Sequence, residues 1–188
     1  MIPTPAPARK FSLRKVSIRK ADVLWFVLVL CVTLLVRTYV FQIVYVDGDS
    51  MLDTLHDGDR LAVTLLDTRI FGPGRDEVVI CTYPQSPLHD EERLCVKRVI
   101  GLPGDVLRIA AGTVLINGEA LQEPYINRHK TEDFPEITVP DGHYFVMGDN
   151  RSNSSDSRSP HVGLIPREKI HGRAHLIVWP PAHIGGIP

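Results

Sequence analysis

The stretch EVVICTYPQSPLHDEERLCVKRVIG, Glu77 to Gly101, decides the fold class. Its two ends, EVVICTY and LCVKRVIG, are short runs of β-branched and apolar residues. Between them lies a polar segment carrying Pro84, Pro87, Asp90, Glu91 and Glu92. Each run is too short for a stable helix and has the composition of a strand. Together they predict an antiparallel hairpin centred near Leu88, which puts Cys81 opposite Cys95. A cross-strand disulfide and two separate buried thiols both fit that placement. Lys97 stands among Leu94, Val96, Val99 and Ile100. An amine held there is either desolvated, which favours its neutral form and suits a general base, or snorkels from a strand edge to water.

The same pattern continues on both sides. DRLAVTLL, DVLRIAAGTVLING, HYFVMGD and RAHLIVWP are further strand-like runs punctuated by Gly, Pro and Asp. The Asn-Gly pair in TVLINGE, Thr113 to Glu119, predicts a tight hairpin. No sustained helical period and no internal repeat follows Gln42. The expected fold is therefore mostly β, with residues 44–188 as one β-rich domain. Residues 105–141, polar and Pro-bearing, are expected as a small β insertion.

The N-terminus differs. Before Asp22 the charged side chains are Arg9, Lys10, Arg14, Lys15, Arg19 and Lys20, all basic, in a segment that also holds Pro3, Pro5 and Pro7. This predicts a cytoplasmic arm over 1–21. Val23–Val36 is free of charge, and Arg37 alone interrupts the apolar character before Asp47. One transmembrane helix over 22–43 is expected, since a span needs about 20 mostly apolar residues. A cleaved secretory signal is the alternative, but no small-x-small site follows at the expected place. The basic flank predicts a cytoplasmic N-terminus and an extracytoplasmic domain at the plasma membrane. A formal net charge of -1 gives no basis for nucleic-acid binding.

VDGDSMLDTLHDGD, Val46 to Asp59, sets five aspartates around Ser50. An EF-hand loop starting at Asp47 would need an acid at position five, Gly at six and Glu at twelve. Those positions are Met51, Leu52 and Gly58, so the register fails and the aspartates suit turns instead. His171 and His175 lie i, i+4, but the surrounding strand-like pattern does not place them on a helix. No metal or organic cofactor is expected. Ser50 beside the small Gly48 suits a nucleophile, needing a histidine or Lys97 as base. MGDNRSNSSDSRSP, Met147 to Pro160, is a polar loop in which Asp156 and Arg158 can pair.

In order along the chain, GDSM (48–51), GDRLAV (58–63), VKRVIGLPGD (96–105) and GDNRSNSSDSR (148–158) resemble the motifs of bacterial type I signal peptidases. The resemblance runs from the apolar segment nearly to the end. It implies a β-rich catalytic core with a small insertion and a Ser-Lys endopeptidase that removes signal peptides from exported preproteins after a small-x-small motif. Carried over, Ser50 is the nucleophile and Lys97 the general base. Ser154 orients the amine, and Asp149, Asp156 and Arg158 support the site. Val44, Val46, Met51, Leu55 and Val96 shape shallow substrate pockets. The implied partners are signal peptides and the phospholipid membrane, with the enzyme monomeric. Two positions depart from the family pattern: Asp53 replaces the usual proline, predicting a turn that is either looser or held by an Asx-type bond, and Gly48 lacks a hydroxyl that some members place in the oxyanion hole.

Overall fold

A computed structural model describes residues 19–83, 94–126 and 131–188. Most of the basic arm and the polar segment after Tyr83 lie outside the described residues. The first element is a helix, α1 (Lys20–Tyr39), with Asp22 in its first turn. The chain then forms β1 (Phe41–Tyr45), β2 (Arg60–Thr64), a short helix α2 (Leu66–Phe71), β3 (Val78–Thr82) and β4 (Leu94–Gly101). Next come β5 (Val106–Ala110), β6 (Thr113–Ile116), β7 (Glu119–Ala120) and β8 (Phe134–Thr138). The last are β9 (His143–Met147), β10 (Ile165–Pro166), β11 (Ile170–Trp179) and β12 (Gly185–Gly186).

The chain divides into two compact units, Met1–Leu35 and Val36–Pro188. In the first, Val23 to Leu30 expose their side chains. Helix α1 stops at Tyr39, short of the expected limit at Ile43, because Phe41–Tyr45 pair with Arg60–Thr64 as strands. Among the described residues no helix is long and apolar enough to cross a membrane.

The second unit is mostly β. A main sheet runs β1-β2-β11-β3-β4-β9-β10, with β12 also on β11, while β7-β6-β5-β8 forms a separate four-stranded sheet. The hairpin expected around Leu88 is present, with Cys81 opposite Cys95 and Thr82 opposite Leu94. Ile116 pairs with Glu119 across Asn117-Gly118, and both turn residues have positive φ. That is the geometry an Asn-Gly hairpin requires.

Alternation along the strands explains the apolar runs. On β3, Val78 and Ile80 join a core with Val46, Met51, Leu55 and Leu61, while Val79 and Cys81 join another with Val99 and Val146. Both faces of β3 are therefore covered, so its sequence is continuously apolar instead of alternating. On β9, Phe145 and Met147 enter a third core with Ile100, Leu107 and Ile109, while Tyr144 and Val146 turn the other way. The small sheet is thus seated on β4 and β9 through its own apolar face.

Candidate active site

The turn that carries Ser50 is fixed by its own aspartates. Val46 N–H donates to the Asp59 carbonyl at 2.9 Å and Gly58 N–H to the Val46 carbonyl at 3.0 Å, closing residues 46–59 into one loop. The Asp57 carboxylate accepts Gly48 N–H at 2.9 Å. Gly48 has φ +96°, a conformation that side chains disfavour. Asp59 is fully buried and accepts from His56 N–H and from His183 Nδ1, both at 2.8 Å. After Ser50 the turn carries two backbone bonds, Leu52 N–H to the Asp49 carbonyl and Leu55 N–H to the Met51 carbonyl. Met51 and Leu55 anchor it by burying their side chains in the core beneath.

Lys97 sits midway along β4 and is 3% exposed. Its Nζ donates to Ser50 Oγ at 2.6 Å and to the Val96 carbonyl at 3.0 Å. Ser50 and Lys97 lie 47 positions apart in the chain and meet only because the loop after β1 folds over β4. They open onto a groove of about 370 Å³ lined by Val44, Val46, Met51, Ile80, Val96, Tyr83 and Cys95. Of the expected pocket residues, Leu55 alone is absent from this lining; it packs in the core behind.

Ser154 lies against Gly148, where a Cβ on the glycine would collide with both Ser154 Oγ and the Ser50 carbonyl. Ser154 Oγ is buried without a hydrogen-bond partner of good geometry, yet it lies near enough to the Asp156 carboxylate to help lower that group's pKa. The rest of the loop is densely braced. Asp156, 1% exposed, accepts both Nε and Nη2 of Arg158 at 2.8 Å and Gly148 N–H at 3.0 Å. Burial opposes ionisation of Asp156, but the Arg158 guanidinium and the Gly148 amide outweigh it and hold the carboxyl below its ordinary value. Arg151 donates to the Gly148 carbonyl and pairs with Glu123 at 2.5 Å, tying the loop to the segment after β7.

Asp149 reaches the site through residues that the sequence alone does not single out. Its carboxylate takes Arg98 Nε at 2.9 Å and Nη2 at 2.6 Å, and accepts the Thr54 hydroxyl at 2.6 Å. Both charged side chains are fully buried. Arg98 follows Lys97 and leaves the strand on the opposite face, where its Nη1 donates to the Asp76 and Pro188 carbonyls. Asn150 completes the clamp: its N–H donates to the Ser50 carbonyl at 3.1 Å and its Nδ2 to the Asp49 carbonyl at 3.0 Å. The signal for Arg98 was its place beside the lysine. Asn150 stands in the GDNRSNSSDSR motif, whereas Thr54 had no comparable local signal.

His171 and His175 both lie on β11, facing Thr82 and Thr64 respectively. Among the described residues, one set of metal-ligating types converges: His56, Asp59 and His183, with ligand atoms within 4.8 Å of one another. Both Asp59 oxygens already accept protein donors there, which accounts for the cluster as a brace between the nucleophile loop and the C-terminal turn.

Known proteins are similar to this chain over most of its length. The family model "Signal peptidase, peptidase S26" matches residues 19–179. A probable signal peptidase I-2 of Synechocystis is 39% identical over 80% of this chain and 68% of its own length. Signal peptidase I T of Bacillus subtilis is 38% identical over 82% of each chain. Signal peptidase I S of the same species is 36% identical over 88% of this chain and 93% of its own. A crystal structure of a signal peptidase I from Enterococcus faecalis aligns with TM-score 0.45 and 34% identity, over 54% of this chain and 95% of that one. With the match running from α1 to the end of β11, the chain belongs to the signal peptidase family, peptidase S26, and is a serine endopeptidase.

Proposed function

We propose that the protein removes signal peptides from exported preproteins by a Ser50–Lys97 mechanism. The observation that carries this is the 2.6 Å contact between Lys97 Nζ and Ser50 Oγ in a groove whose apolar walls are Val44, Val46, Ile80 and Val96. Lys97 is almost wholly buried, and its amine contacts the Ser50 hydroxyl and the Val96 carbonyl. A neutral amine takes the serine proton, Ser50 attacks the scissile carbonyl, and the protonated amine passes its proton to the leaving nitrogen. The same lysine then activates water to hydrolyse the acyl-enzyme. The Ser50 amide is the donor assigned to the oxyanion.

Substrate binding follows from the sheet order. Strand β1 ends the main sheet and offers a free edge to an extended precursor segment. Val44, Val46, Met51 and Val96 leave shallow apolar space that suits small side chains on either side of one residue. Ser154 and the Asp156–Arg158 pair support the Gly148 backbone against the nucleophile turn. The outward apolar side chains of α1 and the basic residues before it favour a single-pass anchor, cytoplasmic at its N-terminus, with an extracytoplasmic catalytic unit. Anchor and tethered precursor would share one surface, which raises their effective concentration. The enzyme works as a monomer without a cofactor in this scheme.

Ser50→Ala and Lys97→Ala are expected to abolish cleavage of a purified preprotein while the far-UV spectrum is unchanged. Lys97→Arg should fail equally, because a guanidinium stays protonated. Near-native turnover in any of the three variants overturns the dyad.

A further inference from the structure

The mechanism makes no use of the two sulfurs beside it. Cys81 on β3 and Cys95 on β4 are direct cross-strand partners with Sγ atoms 3.1 Å apart, and both are free thiols. Cys95 lines the groove, two residues before Lys97, whereas Cys81 is fully buried behind it. We infer that Cys81 and Cys95 are a disulfide-forming site, oxidised by thiol–disulfide exchange from the groove side, and that the bond staples the groove wall to the central strand.

The asymmetry of the pair gives the order of events. Cys95 is the accessible sulfur, and the Cys81 thiol hydrogen-bonded to it, with Lys97 nearby, lowers its pKa against the opposing effect of burial. The bond to Cys95 and burial push the Cys81 thiol up. Cys95 thiolate therefore attacks an external disulfide, forming a mixed disulfide and releasing one thiol. Cys81 gives up its proton and attacks the Cys95 sulfur, releasing the second thiol. Two protein thiols are oxidised by two electrons while one external disulfide is reduced to two thiols. The antiparallel register already sets the two residues face to face, so closure needs no rearrangement of the sheet. The bond closes the loop between Thr82 and Leu94. Both ends of that loop, Tyr83 and Leu94, line the groove.

The test is thiol chemistry on the full-length protein in a Cys31→Ser background, independent of any cleavage assay, so it stands or falls apart from the dyad. After incubation with oxidised glutathione, both remaining thiols should resist alkylation under denaturing conditions. The intact mass should fall by two hydrogens, and the thermal midpoint should rise by roughly 5–10 °C over the reduced form. Cys95→Ser should show no such rise. Thiols that stay alkylatable overturn the inference. So does a lasting glutathione adduct on Cys95, a disulfide-linked dimer, or an equal thermal shift in Cys95→Ser.

Discussion

At the scale of single residues, the site is held by charges that never reach solvent. Arg98 and Asp149 are both fully buried and paired through two hydrogen bonds. Such a pair adds little net stability over an apolar one, yet removing one partner strands the other in a low-dielectric interior. Arg98→Met should cost about 3–5 kcal/mol in denaturant unfolding. Replacing Asp149 by Leu in the same chain should recover a large part of that loss. A single variant costing under about 1 kcal/mol would show that water reaches the pair. Lys97 and Arg98, adjacent in sequence, thus do opposite work: one meets Ser50, the other anchors the loop behind it.

At the scale of elements, two loops are pressed against each other with no spare room. Gly148, directly after β9, faces the Ser50 carbonyl and Ser154 Oγ so closely that a methyl group cannot enter. Its φ is not in the left-handed region, so space alone demands glycine there. Gly148→Ala should push the nucleophile turn away from Lys97 and lower turnover by on the order of 100-fold. The check is kcat on a preprotein alongside a thermal melt, to separate displacement from unfolding. An unchanged kcat would mean that the two loops shift together. The strands themselves were legible: β4 occupies the whole of LCVKRVIG, and β3 most of EVVICTY. The start of strand β1 was not, because Phe41–Tyr45 continues the apolar run of α1 and no turn residue marks the change. Strand β8, FPEIT, was hidden by its mixed polarity; two of its side chains are half-buried and the other three exposed.

At the scale of the whole molecule, acid stability should report the loop that frames the site. Asp156 has its folded pKa held below the ordinary carboxylate value, chiefly by Arg158 working against burial. Its contribution is therefore fully present above the unfolded value of about 3.9, and is lost as pH falls through the lower folded value. Unfolding free energy measured between pH 6 and pH 2 should fall along this limb. Arg158→Met, which removes the guanidinium, should flatten it and lower stability at neutral pH. An unchanged acid limb in that variant would assign the pH dependence to other carboxylates.

What the sequence determined by itself was local and chemical. Strand periods, the Asn-Gly turn and four ordered motifs point to a β-rich chain resembling the signal peptidases, because each depends on neighbours within a few residues. The tertiary structure decided what depends on distant parts of the chain. It brought Lys97 to Ser50 and Asn150 to the backbone of Asp49 and Ser50. It also set Arg98 on Asp149, Leu55 in the core and Cys95 at the groove wall. Those contacts follow from sheet order and burial, and neither is encoded in any single stretch of residues.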